Sequence, residues 1–555
     1  MLKDDKIIYG DSLLVPSHLN YGMFFLEKLK EHKNATALIN ATTGEQISYD
    51  RLMQHIVNFA TSLENLGIGL GDTVGLCSEN RIEYISSSVG VMCTGAIITL
   101  VNPSYSKDEL GHTLKITKPK CLIMSPGAFK SSYEALRKLD FIKHYIIFGN
   151  ETIKPAMMFE DLIAKNVNVH SFLAADVQGQ SDGALVLYSS GTTGMPKGVL
   201  LTHLNLIISG SQPSGTKNKQ VTLTVSPWCN TMGYLVESLT VVPPIVVVLA
   251  KSLHIHKYDV TSVITMYSGA APLDLEVINA TKKAFPNLMY IFQGYGMSEA
   301  AGAITRESEI AAKGPRPGSV GTVVPGLMIK VVDIEKRTVL GPNQPGEVCI
   351  KGPIIFKKYI GKSTADDFDE QGYFKTGDVA YYDDDGYLYV VDRIKELIKY
   401  KGWQVPPAEL EALLLQHASV RDVGVVGAPD QLAGELPTAF IVKQSNANVT
   451  EKELVDFVQS KTLSDQFPKI RYYVTRPSTF QISYPMITTL TTALVAEAWA
   501  SRSPANIIHV IIRLQVSPWK QLRGGVRFIS EIPKSPSGKI LRRRLREMLP
   551  TRSKL

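Results

Sequence analysis

The chain has 555 residues, too many to pack around one hydrophobic core, so we expect two or more domains. Its formal net charge of +7 is small for this length, and its basic residues are dispersed except near the C-terminus, which argues against a nucleic-acid-binding protein. No apolar run reaches the roughly 18 residues that a membrane span needs, and the N-terminus has no apolar segment of signal-peptide length.

Five cysteines are scattered along the chain at Cys77, Cys93, Cys121, Cys229 and Cys349. They are odd in number, and no two of them have the spacing of a metal-ligand pair. We therefore expect reduced thiols in an intracellular compartment and no zinc site.

The N-terminal part of the chain alternates strand patterns with helix patterns. From Ile39 to about Leu340, segments such as RIEYISSSVGVMCTGAIITLV predict parallel strands covered by helices, an α/β architecture. Between about Val320 and Asp392, the runs IKVVDI, GEVCIKG and YLYVVD are separated by GPNQPG and DDDG turns. This second pattern predicts antiparallel β structure or a small barrel.

After Asp392 the pattern changes again. PPAELEALLLQH predicts a helix that begins at prolines, and VRDVGVVGAP predicts a strand. Thr450 and Glu453 have the spacing of a capping box in front of an amphipathic helix. We therefore expect an N-terminal domain over residues 1–392 and an α+β C-terminal lid over residues 393–555.

A loop rich in glycine and hydroxyl groups, YSSGTTGMPKG, occupies residues 188–198. Its glycines let backbone N–H groups approach a ligand and its hydroxyls add donors, so it suits phosphate oxygens, although a plain turn is the alternative. It is not a Walker A loop, because Gly198 follows Lys197 where that motif needs Ser or Thr. The candidate phosphate ligands are Ser189, Ser190, Gly191, Thr192, Thr193, Gly194 and Lys197.

The stretch QGYGMSEAAG at residues 293–302 combines three kinds of nucleotide contact. Tyr295 offers a ring for purine stacking, Ser298 a hydroxyl for phosphate and Glu299 a carboxylate for Mg²⁺. A strand-to-helix turn with a core tyrosine is the alternative for this segment alone.

Two later stretches carry charged candidates. Asp378 and Arg393 lie at the two ends of a predicted hairpin, where an aspartate suits ribose hydroxyls and an arginine suits phosphate or ribose oxygens. Lys539 lies on a glycine-bearing loop in PKSPSGKILRRRLR. Considered alone, a charged residue of this kind is more often a solvated surface group than a ligand-binding residue.

These four stretches occur in the order and spacing of one superfamily, and IKYKGWQVPPAELE adds a further match. The chain resembles the AMP-forming adenylating enzymes, most closely the branch that holds 4-coumarate:CoA ligases, beetle luciferases and luciferase-like fatty acyl-CoA synthetases. The resemblance implies a large N-terminal domain of two α/β subdomains plus a β-barrel-like subdomain, with a smaller, mobile α+β C-terminal lid. It also implies a ligase that uses ATP, Mg²⁺ and coenzyme A to convert a fatty or cinnamate-type acid into acyl-AMP and then acyl-CoA.

The resemblance assigns roles to individual residues. Lys539 would serve adenylation and Lys399 the transfer to the CoA thiol, with Asp392 as the hinge that exchanges them. Ser298 would contact the α-phosphate and Glu299 would bind the metal. The nucleotide and CoA contacts would further include the glycine-loop residues above, Ala271, Gln293, Gly294, Tyr295, Gly296, Met297, Asp378, Arg393, Gly402 and Trp403. The acid pocket would be lined by Asn230, Gly269, Ala270, Gly302 and Ala303.

The chain departs from the family pattern at several places. Asn230 stands where family members usually have a histidine that guards the acid pocket. Gly302 stands where luciferases tend to have a serine, and SGSQPSGTKNKQ replaces a segment that carries an arginine there. Efficient light emission is therefore not expected.

Two irregularities concern whole segments. About one strand and one helix are missing between about Val236 and Val242, a loss that could cost several kcal/mol of domain stability. Residues 462–514 form an atypical insertion, either a surface extension of the lid or translated non-coding sequence. We favour the second reading, because a structureless loop of this length is uncommon in a compact domain.

These departures leave two alternatives to an acyl-CoA ligase: a nucleotide-binding pseudoenzyme and a luciferase-type monooxygenase. The terminal tripeptide Ser553, Lys554 and Leu555 is a peroxisomal address, so we expect a peroxisomal protein that binds the import receptor. Small molecules, not nucleic acids, are the other expected partners.

Overall fold

The computed structural model describes residues 6–189, 196–212, 222–224, 226–229, 240–241, 243–252, 255–269, 273, 275–308, 314–401, 403–445, 447–462, 521–534 and 540–549. The chain divides into two compact units. The first comprises Met1–Leu397 and Pro533–Arg544, and the second comprises Ile398–Ile532 and Leu545–Leu555.

Helices and strands alternate through most of the chain. The described helices are α1 (Tyr21–Leu29), α2 (Tyr49–Asn65), α3 (Ile82–Cys93), α4 (Lys107–Thr117), α5 (Pro126–Leu136), α6 (Phe159–Ile163), α7 (His203–Gly210), α8 (Pro243–Lys251), α9 (Leu275–Ala284), α10 (Pro407–Leu415), α11 (Glu451–Thr462) and α12 (Arg542–Glu547). None of the described helices is both long and apolar enough to cross a bilayer.

The strands of the first unit are β1 (Ile8–Tyr9), β2 (Thr36–Ile39), β3 (Gln46–Ser48), β4 (Thr73–Cys77), β5 (Ile97–Val101), β6 (Cys121–Met124), β7 (His144–Ile147), β8 (Met157–Met158), β9 (Gly183–Ser189), β10 (Lys197–Thr202), β11 (Thr240–Val241), β12 (Thr265–Ser268), β13 (Tyr290–Met297), β14 (Gly302–Arg306), β15 (Thr322–Val323), β16 (Met328–Val332), β17 (Gly346–Lys351), β18 (Lys358–Tyr359), β19 (Phe374–Tyr382) and β20 (Leu388–Arg393). Those of the second unit are β21 (Ile398–Tyr400), β22 (Trp403–Val405), β23 (Val420–Asp430), β24 (Gly434–Lys443) and β25 (Val526–Phe528).

Two mixed sheets carry the α/β part of the first unit. The larger has eight strands in the order β18-β10-β9-β5-β4-β6-β7-β8, parallel except at β9-β10 and β10-β18. The smaller has the order β11-β12-β13-β14-β15, with its parallel pairs at the β11 end. The alternation of strands and helices predicted from the sequence is confirmed, as the α3-β5 pair over RIEYISSSVGVMCTGAIITLV illustrates.

The β-rich region before Asp392 forms a third, antiparallel sheet in the order β1-β16-β17-β19-β20. In the described part of the chain β1 and β20 are its edges, so the structure has an antiparallel sheet where the sequence left a sheet or a small barrel open. The register of β19 and β20 places Asp378 directly opposite Arg393.

The second unit is an α+β fold. The sheet runs β22-β21-β24-β23, and β25 pairs with β24 in parallel. The helix predicted to begin at prolines is α10, with Pro407 in its first turn, and the predicted capping box is present at α11. There the Thr450 N–H donates to Glu453 Oε2 at 2.7 Å and the Glu453 N–H donates to Thr450 Oγ1 at 3.2 Å.

The insertion predicted at residues 462–514 lies outside the described residues, apart from Thr462. Its flanks pack together, because the Val526 N–H at the start of β25 donates to Glu451 Oε1 at the start of α11 at 2.9 Å. Leu454 and Val526 both belong to the hydrophobic core of the second unit. The helix before this segment and the strand after it are therefore neighbours in one core.

The core of the first unit is built by helices that pack on the eight-stranded sheet. Ser48 caps α2, whose buried face includes Ile56, Phe59 and Leu63, and the Phe59 ring lies 4.9 Å from the Phe159 ring. Burying one such side chain stabilises the fold by about 1.5–3 kcal/mol. All five cysteines are buried and free, and burial raises the pKa of the Cys77 and Cys121 thiols to about 12.

His203 is a buried histidine that should make the first unit sensitive to acid. It is 0% exposed at the start of α7, and its Nδ1 accepts a hydrogen bond from the Tyr21 N–H at 3.0 Å. Burial lowers the pKa of His203 from 6.5 to about 4, so the folded protein favours the neutral ring. Stability from this group is therefore fully present above pH 6.5 and is lost as the pH falls toward 4, by up to about 3 kcal/mol.

The variant His203→Gln keeps a hydrogen-bond acceptor but cannot titrate. We expect its thermal stability to fall less than that of wild type as the pH is lowered. The measurement is the thermal unfolding midpoint of wild type and variant between pH 7.5 and 4.5. His55, whose pKa burial and Arg51 lower to about 4, is common to both proteins and cancels in the comparison. Parallel profiles for the two proteins would contradict the assignment to His203.

Candidate functional site

The stretch QGYGMSE runs along β13 and into a 3-10 turn at Ser298–Ala300. The β13-β14 pairing has an irregularity between Tyr295 and Gly296, which brings Gly296 close to the neighbouring strand. A Cβ on Gly296 would lie 2.1 Å from the Gly302 carbonyl oxygen, so only glycine fits there. The tight pairing sets the position of Tyr295 on one side of this glycine and of Ser298 and Glu299 on the other.

The structure brings Tyr295, Asp378 and Arg393 into one cluster. The Tyr295 hydroxyl donates to Asp378 Oδ2 at 2.6 Å, and Arg393 Nε forms an ion pair with Asp378 Oδ1 at 3.0 Å. Asp378 is 3% exposed, whereas the Arg393 side chain is 38% exposed. A carboxylate offers about four acceptor positions, so Asp378 can serve both partners and still accept from a bound hydroxyl.

The electrostatics of this cluster hold its members in defined protonation states. Burial, and then the neighbouring Asp378 charge, raise the pKa of Tyr295 well above its ordinary value, so the phenol stays a donor. Burial acts to lower the pKa of Arg393, but the surrounding carboxylates of Asp378, Glu396 and Glu299 raise it overall. The guanidinium therefore remains charged, and its side chain is partly accessible to solvent.

The glycine loop connects two paired strands. Ser189 ends β9 and Lys197 begins β10, and these two residues are directly opposite each other. The intervening candidates, Ser190, Gly191, Thr192, Thr193 and Gly194, lie outside the described residues. The loop thus begins and ends at the same end of one strand pair, with Lys197 at its base.

A second polar cluster lies at the base of the glycine loop. The Tyr359 hydroxyl donates to Glu299 Oε1 at 2.8 Å, and Lys197 Nζ lies 5.1 Å from the centre of the Tyr359 ring. The Glu299 backbone oxygen accepts from the Phe356 N–H at 2.8 Å. Tyr359 was not among the residues predicted from the sequence, because only the β10-β18 pairing brings it beside Glu299.

Glu299 fits the role of a magnesium ligand. It is 6% exposed, and among the described residues its second oxygen, Oε2, accepts no hydrogen bond. The described residues hold no cluster of three or more His, Cys, Asp or Glu side chains that could bind a metal by itself. A buried carboxylate with one oxygen that accepts from no described residue suits Mg²⁺, which binds proteins through one or two carboxylates together with nucleotide phosphates and water.

Comparison with known proteins assigns the chain to a family. A family profile described as AMP-binding enzyme matches residues 25–239 and 233–360, and another described as AMP-binding enzyme C-terminal domain matches residues 409–482. The chain belongs to the AMP-binding enzyme family. The prediction that it is an enzyme of the AMP-forming superfamily is thereby confirmed.

Individual relatives match over almost the whole chain. Luciferin 4-monooxygenase of Nipponoluciola cruciata is 33% identical over 600 residues, covering 99% of this chain and 98% of the relative. 4-Coumarate–CoA ligase 3 of Arabidopsis thaliana is 33% identical over 580 residues, covering 96% and 92%.

Solved structures share the fold. ATP-bound MatB from Rhodopseudomonas palustris superposes with a TM-score of 0.75 at 22% identity, covering 95% of this chain and 98% of MatB. A red-emitting luciferase from Phrixothrix hirtus superposes with a TM-score of 0.63 at 29% identity and covers 98% of both chains. The predicted fold class is confirmed.

The two matches of the AMP-binding profile overlap at residues 233–239. This join falls at the stretch near Val236–Val242 where the sequence predicts a missing strand and helix. In the described residues β11 is a two-residue edge strand that pairs only with β12. Residues 230–239 and Val242 lie outside the described residues, so the missing segment stays a prediction.

The acid-pocket candidates of this family member flank the end of β13. Gly269 directly follows β12, whereas Gly302 and Ala303 lie on β14 opposite Met297 and Gly296. Ala270, Ala271 and Asn230 lie outside the described residues. The segment SPWC before Asn230 is hydrogen-bonded to Asn80. Asn80 Oδ1 accepts from the Trp228 N–H at 2.8 Å, and Asn80 Nδ2 donates to the Ser226 carbonyl at 2.9 Å.

Gln293 and Gly294 belong to β13, and the Gln293 side chain is buried. Their role as nucleotide contacts stays a prediction. Gln293 Oε1 accepts from the Leu273 N–H at 3.1 Å, which ties the SGAAPL motif to QGYGMSE. The Gln293 N–H donates to Glu307 Oε2 at 2.9 Å, and burial raises the pKa of this carboxyl to about 7 despite its two backbone hydrogen bonds. Glu307 carries no motif signal of its own, so sequence reasoning missed it.

In the second unit Lys399 lies on β21, where its N–H donates to Glu435 Oε2 at 2.8 Å. Trp403 pairs with Tyr400 through the backbone of β22, but its side chain and Gly402 lie outside the described part. Asp392 lies within β20, and its Oδ1 accepts from the Arg393 N–H at 2.7 Å. The hinge role of Asp392 stays a prediction.

Lys539 lies outside the described residues, but both flanks of its loop belong to the first unit. Lys534 and Ile540 form an antiparallel bridge, and Arg542 forms a buried ion pair with Glu396. The terminal tripeptide Ser553, Lys554 and Leu555 also lies outside the described part.

Proposed function

We propose that this chain is an ATP-dependent acid–CoA ligase. The observation that carries the proposal is the cluster in which Asp378 accepts from Tyr295 and pairs with the charge of Arg393, with Glu299 on the same strand-turn segment as Tyr295. An aromatic ring, a buried carboxylate and an exposed cation together suit a base, a ribose and a phosphate. The 33% identity to a protein named 4-coumarate–CoA ligase supports the same reaction.

In the first half-reaction, a carboxylate oxygen of the acid bonds to the α-phosphorus of ATP and the bond to the β-phosphate oxygen breaks. Pyrophosphate leaves and acyl-AMP remains. Lys197, at the base of the glycine loop, and Lys539 oppose the repulsion between the two anions, while Asp378 and Tyr295 orient the adenosine. Glu299 would hold Mg²⁺, which supplies additional positive charge to the phosphates.

In the second half-reaction, the CoA thiol gives up its proton to solvent, its sulfur bonds to the acyl carbon, the acyl–phosphate bond breaks and AMP leaves. We propose that the C-terminal lid turns between the two steps, so that the pantetheine can enter after pyrophosphate has left. The proposed hinge is Asp392, and the turn replaces Lys539 by Lys399 near the acyl group.

The acid is proposed to be a medium-chain or long-chain fatty acid or a cinnamate-type aromatic acid. Purified full-length protein is incubated with ATP, Mg²⁺, CoA and a panel of such acids, and pyrophosphate and acyl-CoA are measured. Acid-dependent formation of both products is expected. Absence of pyrophosphate with every acid would refute the ligase.

The same assay separates the ligase from two alternatives. A pseudoenzyme, suggested by Asn230 and the segment predicted to be missing near Val236–Val242, predicts thermal stabilisation by ATP without any turnover. The relative named luciferin 4-monooxygenase favours a luciferase-type reaction instead, which predicts light from luciferin, ATP and O₂ in a luminometer. Gly302 and the replaced segment at SGSQPSGTKNKQ argue against strong emission.

Replacing Lys399 should separate the two half-reactions. We expect Lys399→Ala to slow acyl-CoA formation about tenfold or more, while acyl-AMP formation in a single turnover changes less than about twofold. The strand itself should survive, because β21 is held by the Lys399 backbone bond to Glu435. Lys401→Ala, on the same hairpin, is the matched control, and equal losses in both half-reactions of the Lys399 variant would contradict its role.

We also propose a peroxisomal location, supported by the terminal Ser553–Lys554–Leu555. A fluorescent protein fused to the N-terminus should accumulate in peroxisomes when the tripeptide is intact and spread through the cytosol when it is deleted. Identical distributions of the two fusions would exclude this address.

A further inference from the structure

Tyr359 lies between the two groups that the proposed reaction needs near the phosphates. It belongs to β18, a two-residue strand at the edge of the eight-stranded sheet, and pairs with Val199 on β10. The Ile360 N–H donates to the Gly198 carbonyl at 2.9 Å, so backbone bonds hold the chain next to Tyr359. The position of the ring is thus set by strand pairing and not by the side chain alone.

The hydroxyl of Tyr359 is hydrogen-bonded to the Glu299 carboxylate. It donates to Oε1 at 2.8 Å in a buried contact, and Glu299 is also anchored through its backbone oxygen by the Phe356 N–H. With one carboxylate oxygen occupied by the phenol, the other oxygen is directed elsewhere and accepts from no described residue. A carboxylate held at one oxygen loses rotational freedom before it binds a cation, which lowers the entropic cost of binding.

The ring of Tyr359 lies beside the Lys197 ammonium. The Lys197 ammonium lies 5.1 Å from the ring centre, within the range of a cation–π interaction. The Tyr359 ring also packs against Phe356, with ring centres 4.7 Å apart, so it cannot turn away freely. One side chain therefore touches both the carboxylate proposed for the metal and the lysine at the base of the glycine loop.

We propose that Tyr359 is a positioning residue that presents Glu299 to the metal of an ATP–metal complex and steadies Lys197 beside its phosphates. This inference rests on the proposed function, since it assumes that Glu299 faces a nucleotide-bound Mg²⁺. The Tyr359 hydroxyl orients Glu299, and the Tyr359 ring contacts Lys197. Substitutions that remove the hydroxyl alone or the whole ring can therefore separate the two contributions.

The first test uses Tyr359→Phe, which removes the hydroxyl and keeps the ring over Lys197. We expect the Mg²⁺ concentration for half-maximal pyrophosphate release to rise about threefold to tenfold, the typical net effect of one lost hydrogen bond. Calorimetry with ATP supplies a readout apart from activity. Affinity should fall in the presence of Mg²⁺ and stay within about twofold in its absence.

The matched control is Tyr382→Phe, in the same unit. Tyr382 is fully buried and its hydroxyl donates to the Leu340 carbonyl at 3.2 Å, away from Glu299. This variant should lose thermal stability without any change in Mg²⁺ dependence. Tyr359→Leu, which also removes the ring, should further weaken ATP binding without Mg²⁺.

An unchanged Mg²⁺ dependence in Tyr359→Phe, or an equal loss of ATP affinity with and without Mg²⁺, would overturn the inference. Failure of the ligase proposal gives a different result. In that case wild type releases no pyrophosphate with any acid, while the calorimetric comparison of wild type and Tyr359→Phe still decides whether Tyr359 acts through Mg²⁺.

Discussion

Asp378→Ala is expected to reduce kcat/KM for ATP by about 10²–10³-fold, or roughly 3–4 kcal/mol. Asp378 accepts from the Tyr295 hydroxyl at 2.6 Å and forms an ion pair with Arg393 Nε at 3.0 Å, and in the proposed reaction it also accepts from the ribose. Its removal takes away the carboxylate acceptor of the Tyr295 phenol and the ion-pair partner of Arg393. The expected loss therefore combines a substrate contact with the support of two neighbouring side chains.

The conservative variant Asp378→Asn should lose less activity than Asp378→Ala, about tenfold relative to wild type. An amide oxygen can still accept from the Tyr295 hydroxyl, but the neutral amide has no charge to pair with Arg393. Asp72→Ala is the control, because it removes an ion pair with Lys120 at 3.1 Å elsewhere in the first unit. ATP affinity and kcat are measured for each variant together with its thermal unfolding midpoint.

Two results would refute this interpretation of the cluster. One is an Asp378→Ala variant that keeps wild-type affinity for ATP. The other is a loss of activity that follows the unfolding midpoint equally in the Asp378 and Asp72 variants, since a purely structural role predicts that correlation.

Gly296→Ala is expected to abolish most activity and to destabilise the first unit by about 1–3 kcal/mol. The added Cβ would lie 2.1 Å from the Gly302 carbonyl oxygen, a backbone atom that cannot rotate away. β13 and β14 must then separate, which moves Tyr295 from Asp378 and Glu299 from Tyr359. We expect pyrophosphate release to fall by more than about 100-fold, because displacements near 1 Å can cost that much.

Gly294→Ala on the same strand is the matched control. Its added Cβ would approach the Thr305 oxygen at 3.3 Å, a contact that a small shift relieves. Activity within about threefold of wild type is expected for this variant. Similar behaviour of the two alanine variants in pyrophosphate release and thermal melting would show that the Gly296 contact does not set the geometry.

Much of the fold was accessible from the sequence because its signals are local. A capping box such as Thr450 and Glu453 spans four residues, and prolines at Pro406 and Pro407 mark the start of α10. Hydrophobic alternation identified the α/β region and the β-rich region in the same way. Such patterns depend on backbone geometry within a few residues, so they can be recognised without knowledge of the tertiary structure.

The sequence by itself determined which residue types form the candidate site: glycines and hydroxyls in one loop, Tyr295 and Glu299 in one motif, and Asp378 and Arg393 in another. Only the tertiary structure decided which of them meet. Tyr295 and Asp378 are 83 residues apart, and Glu299 and Tyr359 are 60 apart, so their contacts depend on sheet register. Register is set by the packing of strands distant in sequence, and it is the reason that Tyr359 and Glu307 acquire neighbours no local pattern could predict.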